Sequence, residues 1–220
     1  MLYPVELRAR TSHYCAPRAT GYPCRVKRHV KRPVEIEIKL AVESVAKARA
    51  LLRRHGFRVI APRVFEENLV LDDEARSLYG RGVLLRVRRA GKTVTCTSKG
   101  VESAGGRHKR REEHEFRASD FDAALAVFGA VGYREAFRYE KFRTEFARAG
   151  EPGHVTLDET PVGVYMELEG PAKWIDRTAL LLGFPRESWI TLSYARIYKE
   201  SCEARGIVAS DMTFTSRRRR

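Results

Sequence analysis

The chain has 220 residues, enough for one substantial core and short for two. It contains no run of about eighteen apolar residues, so no helix long and greasy enough to cross a membrane is expected. The net charge of +14 is uneven: residues 1–33 carry +7, Arg217 to Arg220 add +4, and the body between them holds only +3, so contact with nucleic acid is expected at most as weak contacts of the tails.

Residues 1–33 show no periodicity and include Pro4, Pro17, Pro23 and Pro33, which reads as a disordered basic extension. This end lacks the apolar core of a secretory signal. Cys15, Cys24, Cys96 and Cys202 lack CxxC spacing and read as free thiols, so a cytoplasmic protein is expected.

From Val34 to Leu40 the side chains alternate, with Val34, Ile36, Ile38 and Leu40 on one side and Glu35, Glu37 and Lys39 on the other, the period of a strand. Val45, Ala48, Leu51, Leu52 and His55 then recur at helical spacing, and Gly56 closes a helix of about 43–55. Residues 58–64 read as a strand or extended connection, 67–72 as a short strand, and 73–77 as a polar turn. Residues 83–89 and 93–99 form a hairpin around Ala90-Gly91-Lys92. A loop through Gly106 leads to a strand over 109–116. A helix capped at Ser119 follows and ends at Gly132. Residues 137–145 form a strand, and 154–158 with 164–169 a second hairpin. A helix with Pro171 as its first residue runs to Leu182, and a last helix covers about 193–204. The domain is expected to span 34–206, with 207–220 as a basic tail.

A strand bearing Glu-x-Glu, a helix, then Gly-aromatic appears three times: Glu35-x-Glu37 with Gly56-Phe57, Glu113-x-Glu115 with Gly132-Tyr133, and Glu167-x-Glu169 with Gly183-Phe184. The repetition predicts a pseudo-symmetric sheet of strand–helix units. The charged faces are also sorted by strand. Glutamate dominates three of them, while Arg86 and Arg88, Thr97 and Lys99, and Lys141 and Arg143 dominate three others. Seven or eight such strands close into a barrel with the apolar face outside, covered by helices, and a polar lumen inside. Unpaired buried charges are costly, so this lumen calls for a polyanion to meet the bases and hard divalent cations to meet the carboxylates.

At this point the residues resemble a family. Glu35-x-Glu37-x-Lys39 resembles the ExExK signature of the CYTH superfamily, the triphosphate tunnel metalloenzymes, which include class IV adenylyl cyclases, thiamine triphosphatases and tripolyphosphatases. The likeness continues through Leu85-Arg86-Val87-Arg88, Thr97-Ser98-Lys99-Gly100, Arg111-x-Glu113-x-Glu115, Lys141-Phe142-Arg143, Leu157-Asp158-Glu159, Glu167-Leu168-Glu169 and Ser193-Tyr194, over about residues 34–200.

The resemblance implies an α+β fold, an eight-stranded antiparallel barrel forming a tunnel with flanking helices. It implies that Lys39, Arg86, Arg88, Lys99, Arg111, Lys141 and Arg143 hold a triphosphate. Glu35, Glu37, Glu113, Glu115, Asp158, Glu167 and Glu169 are the implied ligands of Mg²⁺ or Mn²⁺, and Lys39, Glu113 and Glu115 the implied catalytic groups. The favoured expectation is a metal-dependent phosphohydrolase acting on tripolyphosphate, thiamine triphosphate or a nucleoside triphosphate. The alternatives are an adenylyl cyclase making cyclic AMP and pyrophosphate, and a polyphosphate- or nucleotide-binding module without turnover. A homodimer is compatible with this reading. One departure stands out: the second strand reads Asn68-Leu69-Val70-Leu71-Asp72, where some tripolyphosphatases of the family carry a tyrosine paired with the signature lysine. His114 alternates to the outer face, and His154 shares a face with Asp158. Tyr165 shares that of Glu167, and Trp174 and Trp189 read as packing residues.

Overall fold

A computed structural model of the chain describes residues 34–103 and 106–215. The expected extension at 1–33 and the terminal arginines Arg217 to Arg220 lie outside the described residues. Eight antiparallel strands, β1 (Val34–Val42), β2 (Arg58–Asp72), β3 (Leu84–Ala90), β4 (Thr93–Lys99), β5 (Lys109–Ala118), β6 (Arg134–Ala147), β7 (His154–Thr160) and β8 (Gly163–Glu169), close into a barrel. Their order around it is β1-β5-β4-β3-β2-β6-β7-β8. The helices are α1 (Val45–Arg54), α2 (Ser77–Gly80), α3 (Phe121–Ala130), α4 (Ala172–Leu181) and α5 (Tyr194–Ala204). Among the described residues none is long and apolar enough to cross a membrane.

The hydrophobic core lies outside the barrel, between strands and helices. On one side Ile38, Leu40, Val155, Leu157, Met166 and Leu168 pack under Leu52 of α1 and Trp174, Ile175 and Ala179 of α4. On the other, Leu69, Leu71, Val87 and Cys96 pack under Phe121 and its neighbours on α3. Each fully buried aliphatic side chain contributes about 1.5–3 kcal/mol relative to exposure. Strand alternation then forces the intervening residues inward. β1 is therefore buried on both faces: Ile38 and Leu40 in the shell, Glu37 and Lys39 in the lumen.

The threefold echo in sequence becomes three matching helix ends. After α1, α3 and α4, Gly56, Gly132 and Gly183 take φ of 82°, 93° and 87°. The next N–H, of Phe57, Tyr133 and Phe184, donates back to Leu52, Phe128 and Ala179 carbonyls. This C-cap needs the left-handed conformation that glycine adopts without strain. A tighter constraint acts at Gly153, where a Cβ would lie 2.3 Å from the Trp174 ring and 2.7 Å from the Glu169 carbonyl oxygen.

Several boundaries differ from the sequence reading. β2 is one long strand, its register shifts at 59–64 absorbing Pro62, rather than a connection followed by a short strand. α2 occupies part of the expected polar turn, nucleated by Asp72, whose carboxylate accepts from the Leu78 and Tyr79 N–H groups. Asp120, not Ser119, caps α3, its carboxylate accepting from Ala123 N–H at 2.7 Å. Pro171 is the N-cap of α4 rather than its first turn. Residues 207–215 were expected as tail, but Met212 is fully buried and Phe214 packs on Phe142.

Candidate functional site

The three glutamate strands are consecutive around the barrel as β5-β1-β8, and the basic strands β3 and β6 lie across the lumen on either side of β2. The sorting seen in sequence is thus an acidic wall facing a basic one. They enclose a cavity of about 1530 Å³. It is lined by Glu35, Glu37, Lys39, Arg86, Arg88, Lys99, Arg111, Glu113, Glu115, Lys141, Arg143, Glu167 and Glu169, so the structure brings together the expected site residues with one exception. Asp158 is fully buried behind the wall. It accepts from Arg143 at 2.7 and 2.6 Å, from Lys141 at 2.8 Å and from the Tyr194 hydroxyl at 2.8 Å. With its oxygens engaged this way, it orients the two cations instead of presenting free lone pairs to the lumen.

Register explains most of the pairing. Lys39 stands opposite Glu167 and meets it at 3.0 Å, while touching Glu37 at 3.0 Å. Lys109, opposite Glu37, reaches it at 2.7 Å. Lys99 pairs with Glu35 and lies 3.2 Å from Glu113. Arg143 pairs with Glu167. Arg88 is held by Thr95 at 3.1 Å and reaches Glu115 at 3.4 Å. Of the four arginines expected to hold the triphosphate, two, Arg86 and Arg111, have no carboxylate within ion-pair reach among the described residues. Arg86 is held by the Tyr139 and Thr97 hydroxyls at 3.1 and 3.2 Å, and Arg111 by the Gly100 and Gly82 carbonyls at 2.7 and 2.6 Å.

The electrostatics follow. Burial disfavours the Lys39 ammonium, but Glu167 and Glu37 outweigh it and hold its pKa above the ordinary value. Burial works the same way against Glu37 and Glu167, and Lys39 with its neighbouring cations holds both below the usual carboxylate range. Glu169 is the exception: burial, then Glu35 and Glu37, push it up to about 7. His154 stands 3.5 Å from it, and burial lowers that imidazole's pKa.

Among the described residues no three acid, histidine or cysteine side chains form a ready metal-ligand set. The donors nevertheless fit a hard divalent cation in kind, being carboxylate oxygens. Glu169, crowded by Glu35 and Glu37, marks where negative charge exceeds its local compensation.

Glu66 was missed in sequence because β2 was broken just before Glu67. It is buried, 3.6 Å from Lys141 and 3.7 Å from Arg88, and these cations overcome burial to bring its pKa to about 2. Its parity with Asn68 was the available signal. Tyr139 gave none, since an aromatic on a strand reads equally as core. Of the histidines, His114 is exposed and bonds Glu112, as its outward phase predicted, while His154 lines the cavity.

A model of the CYTH domain matches residues 33–178. A Methanocaldococcus jannaschii protein, provisionally named an adenylate cyclase, is 26% identical over 137 residues, 62% of this chain and 76% of that one. Among solved structures, a Vibrio parahaemolyticus protein with the same provisional name aligns with a TM-score of 0.65 at 19% identity, covering 74% of this chain and 96% of its own. A Hippeastrum protein, described as an adenylyl cyclase candidate with a dominant triphosphatase activity, aligns with a TM-score of 0.52 at 17% identity, covering 80% and 97%. The motifs, the closed barrel and the match over most of the described residues agree, and the chain belongs to the CYTH domain family.

Proposed function

We propose that the chain is a metal-dependent phosphohydrolase acting on a triphosphate-bearing substrate. One observation carries this reading: a closed lumen sets arginines and lysines from several strands around one cavity, with Arg86 and Arg111 held by neutral acceptors rather than by a carboxylate in direct contact. Arg86, Arg88, Lys99, Arg111, Lys141 and Arg143 would bind the phosphoryl oxygens, the guanidinium forks in bidentate fashion. Phosphoryl transfer rests on such positioning and charge neutralisation.

Glu35, Glu37, Glu113, Glu115, Glu167 and Glu169 would hold Mg²⁺ or Mn²⁺, with Asp158 assigned instead to orienting Lys141 and Arg143. The ion, when bound, supplies charge neutralisation at the phosphate oxygens and makes water more acidic. Lys39 stays protonated beside Glu37 and Glu167, which suits it to stabilise developing negative charge rather than to take a proton. Glu113, whose pKa lies below the ordinary value because Lys99 outweighs burial, and Glu115 would accept the proton of the attacking water. The water oxygen bonds to the terminal phosphorus as its bridging P–O bond breaks.

A cyclase is the second reading, favoured by the name of the 26% identical archaeal relative. There a ribose hydroxyl would attack the α-phosphorus and expel pyrophosphate. The full chain incubated with Mg²⁺ or Mn²⁺ and tripolyphosphate, thiamine triphosphate or ATP separates the two. Phosphate release is expected, and EDTA abolishes it. Cyclic AMP with pyrophosphate selects the cyclase, and neither product selects a binding module.

A further inference from the structure

β6 pairs with β7 only from Phe142 onward, which leaves the earlier part of that edge to another partner. Residues 211–214 take it. Met212 N–H donates to the Arg138 carbonyl and Glu140 N–H to the Met212 carbonyl, both at 2.9 Å. Asp211 accepts from Arg138 N–H at 2.8 Å, and Phe214 N–H donates to the Glu140 carboxylate at 2.9 Å. This short strap closes around Tyr139, which bridges to Met212 and turns its ring into the lumen.

Tyr139 is 8% exposed. Its phenol oxygen accepts from Arg86 Nη1, and its own hydrogen has no acceptor among the described residues. Arg86 is equally buried, and its Nε has no hydrogen-bond partner. A spare hydroxyl hydrogen and a guanidinium N–H without a partner thus meet at one wall of the cavity, on an arginine whose charge Glu66 and Glu113 offset only from beyond ion-pair distance. A buried donor left unmade is costly, and an anionic oxygen satisfies both.

We propose that Tyr139 is a further substrate-contacting residue, its hydroxyl and the Arg86 fork binding the same phosphoryl group, and that residues 211–214 are the strap holding it there. The proposal rests on reading the lumen as a triphosphate site. It extends the working part of the chain beyond residue 206 to a segment outside the match at 33–178.

The test is calorimetric titration of the full chain with tripolyphosphate, with unfolding temperatures measured alongside. Tyr139→Phe keeps the ring against Phe137 and Met212 and removes only the hydroxyl. Affinity is expected to fall roughly tenfold, the value of a hydrogen bond to a charged group. The melting temperature falls too, because Arg86 Nη1 loses its acceptor, so titrations are run well below it. Tyr139→Phe with Arg86→Lys should lose less than the two singles combined, because they share one phosphoryl contact. Asp211→Ala should weaken binding when Tyr139 is present and have little effect in the Tyr139→Phe background, which a purely structural strap would not produce. Undiminished affinity in Tyr139→Phe, or strictly additive losses, overturns this proposal while leaving the lumen reading intact. Absence of tripolyphosphate binding by the unmutated chain overturns both.

Discussion

Lys39 of β1 and Glu167 of β8 face each other in register and meet at 3.0 Å, both of them buried. Water cannot screen such a pair, and removing Lys39 takes one cation from Glu167 and from Glu37, leaving Arg143 and Lys109 as their remaining partners. Breaking a buried pair costs about 3–5 kcal/mol. Lys39→Met is therefore expected to destabilise the chain in urea unfolding, by less than about 3 kcal/mol because Arg143 and Lys109 remain beside Glu167 and Glu37. Lys39→Met with Glu167→Gln should recover part of that loss. Equal stability of Lys39→Met and the unmutated chain would show that the pair is solvated.

Glu169 gives the fold a pH dependence. Its pKa is raised from 4.5 to about 7 in the folded chain, so the folded state holds this proton more tightly than the unfolded state. The stabilisation is fully present below the unfolded value and is lost as pH rises from 4.5 through about 7. Glu169→Gln, permanently neutral, should flatten this part of the stability–pH curve and exceed the unmutated chain in stability above the window. Mg²⁺ added above the window should raise the melting temperature of the unmutated chain more than that of the variant. Parallel curves for the two proteins would place the titration elsewhere.

Arg88→Lys keeps the charge and removes the fork. Its Nε and Nη groups reach Thr95, Glu115 and Glu66 from one planar group, an arrangement an ammonium cannot reproduce. Tripolyphosphate affinity should fall roughly tenfold, in line with the value of a charge-assisted hydrogen bond. Unchanged affinity would mean that Arg88 acts as a point charge.

Gly153→Ala tests the close approach between the start of β7 and α4. The added methyl would overlap the Trp174 ring and the Glu169 carbonyl, and overpacking of this kind costs about 1–3 kcal/mol or more. Because Glu169 is one of the crowded lumen acids, the affinity for tripolyphosphate with Mg²⁺ should fall along with the unfolding midpoint. A variant as stable as its parent would show that α4 shifts freely on the barrel.

Alternation made the inside of the barrel legible. Wherever a strand kept period two, as in Glu35-Ile36-Glu37-Ile38-Lys39 or Arg86-Val87-Arg88, the charged residues went to the lumen and the aliphatic ones to the shell. Legibility failed where the period broke or a residue type was ambiguous. The register shifts in β2 hid Glu66, and Tyr139 resembled a core residue. Asp158 followed its phase correctly, yet ended behind the wall because Lys141, Arg143 and Tyr194 converge on it, a three-partner contact that no single strand encodes. Residues 207–215 lack the pattern of a helix or long strand. Their docking depends on a vacancy at the β6 edge that exists only once β7 has stopped short.

Adhesion and reactivity are carried by different layers of this molecule. Because the oily seam between strands and helices does most of the folding, inner positions outside the buried ion pairs are relieved of that duty and can be rewritten. A library that varies inward positions lacking a buried ionic partner, such as Val70, while leaving the outer seam untouched should yield mostly folded proteins with altered preferences for the guest anion.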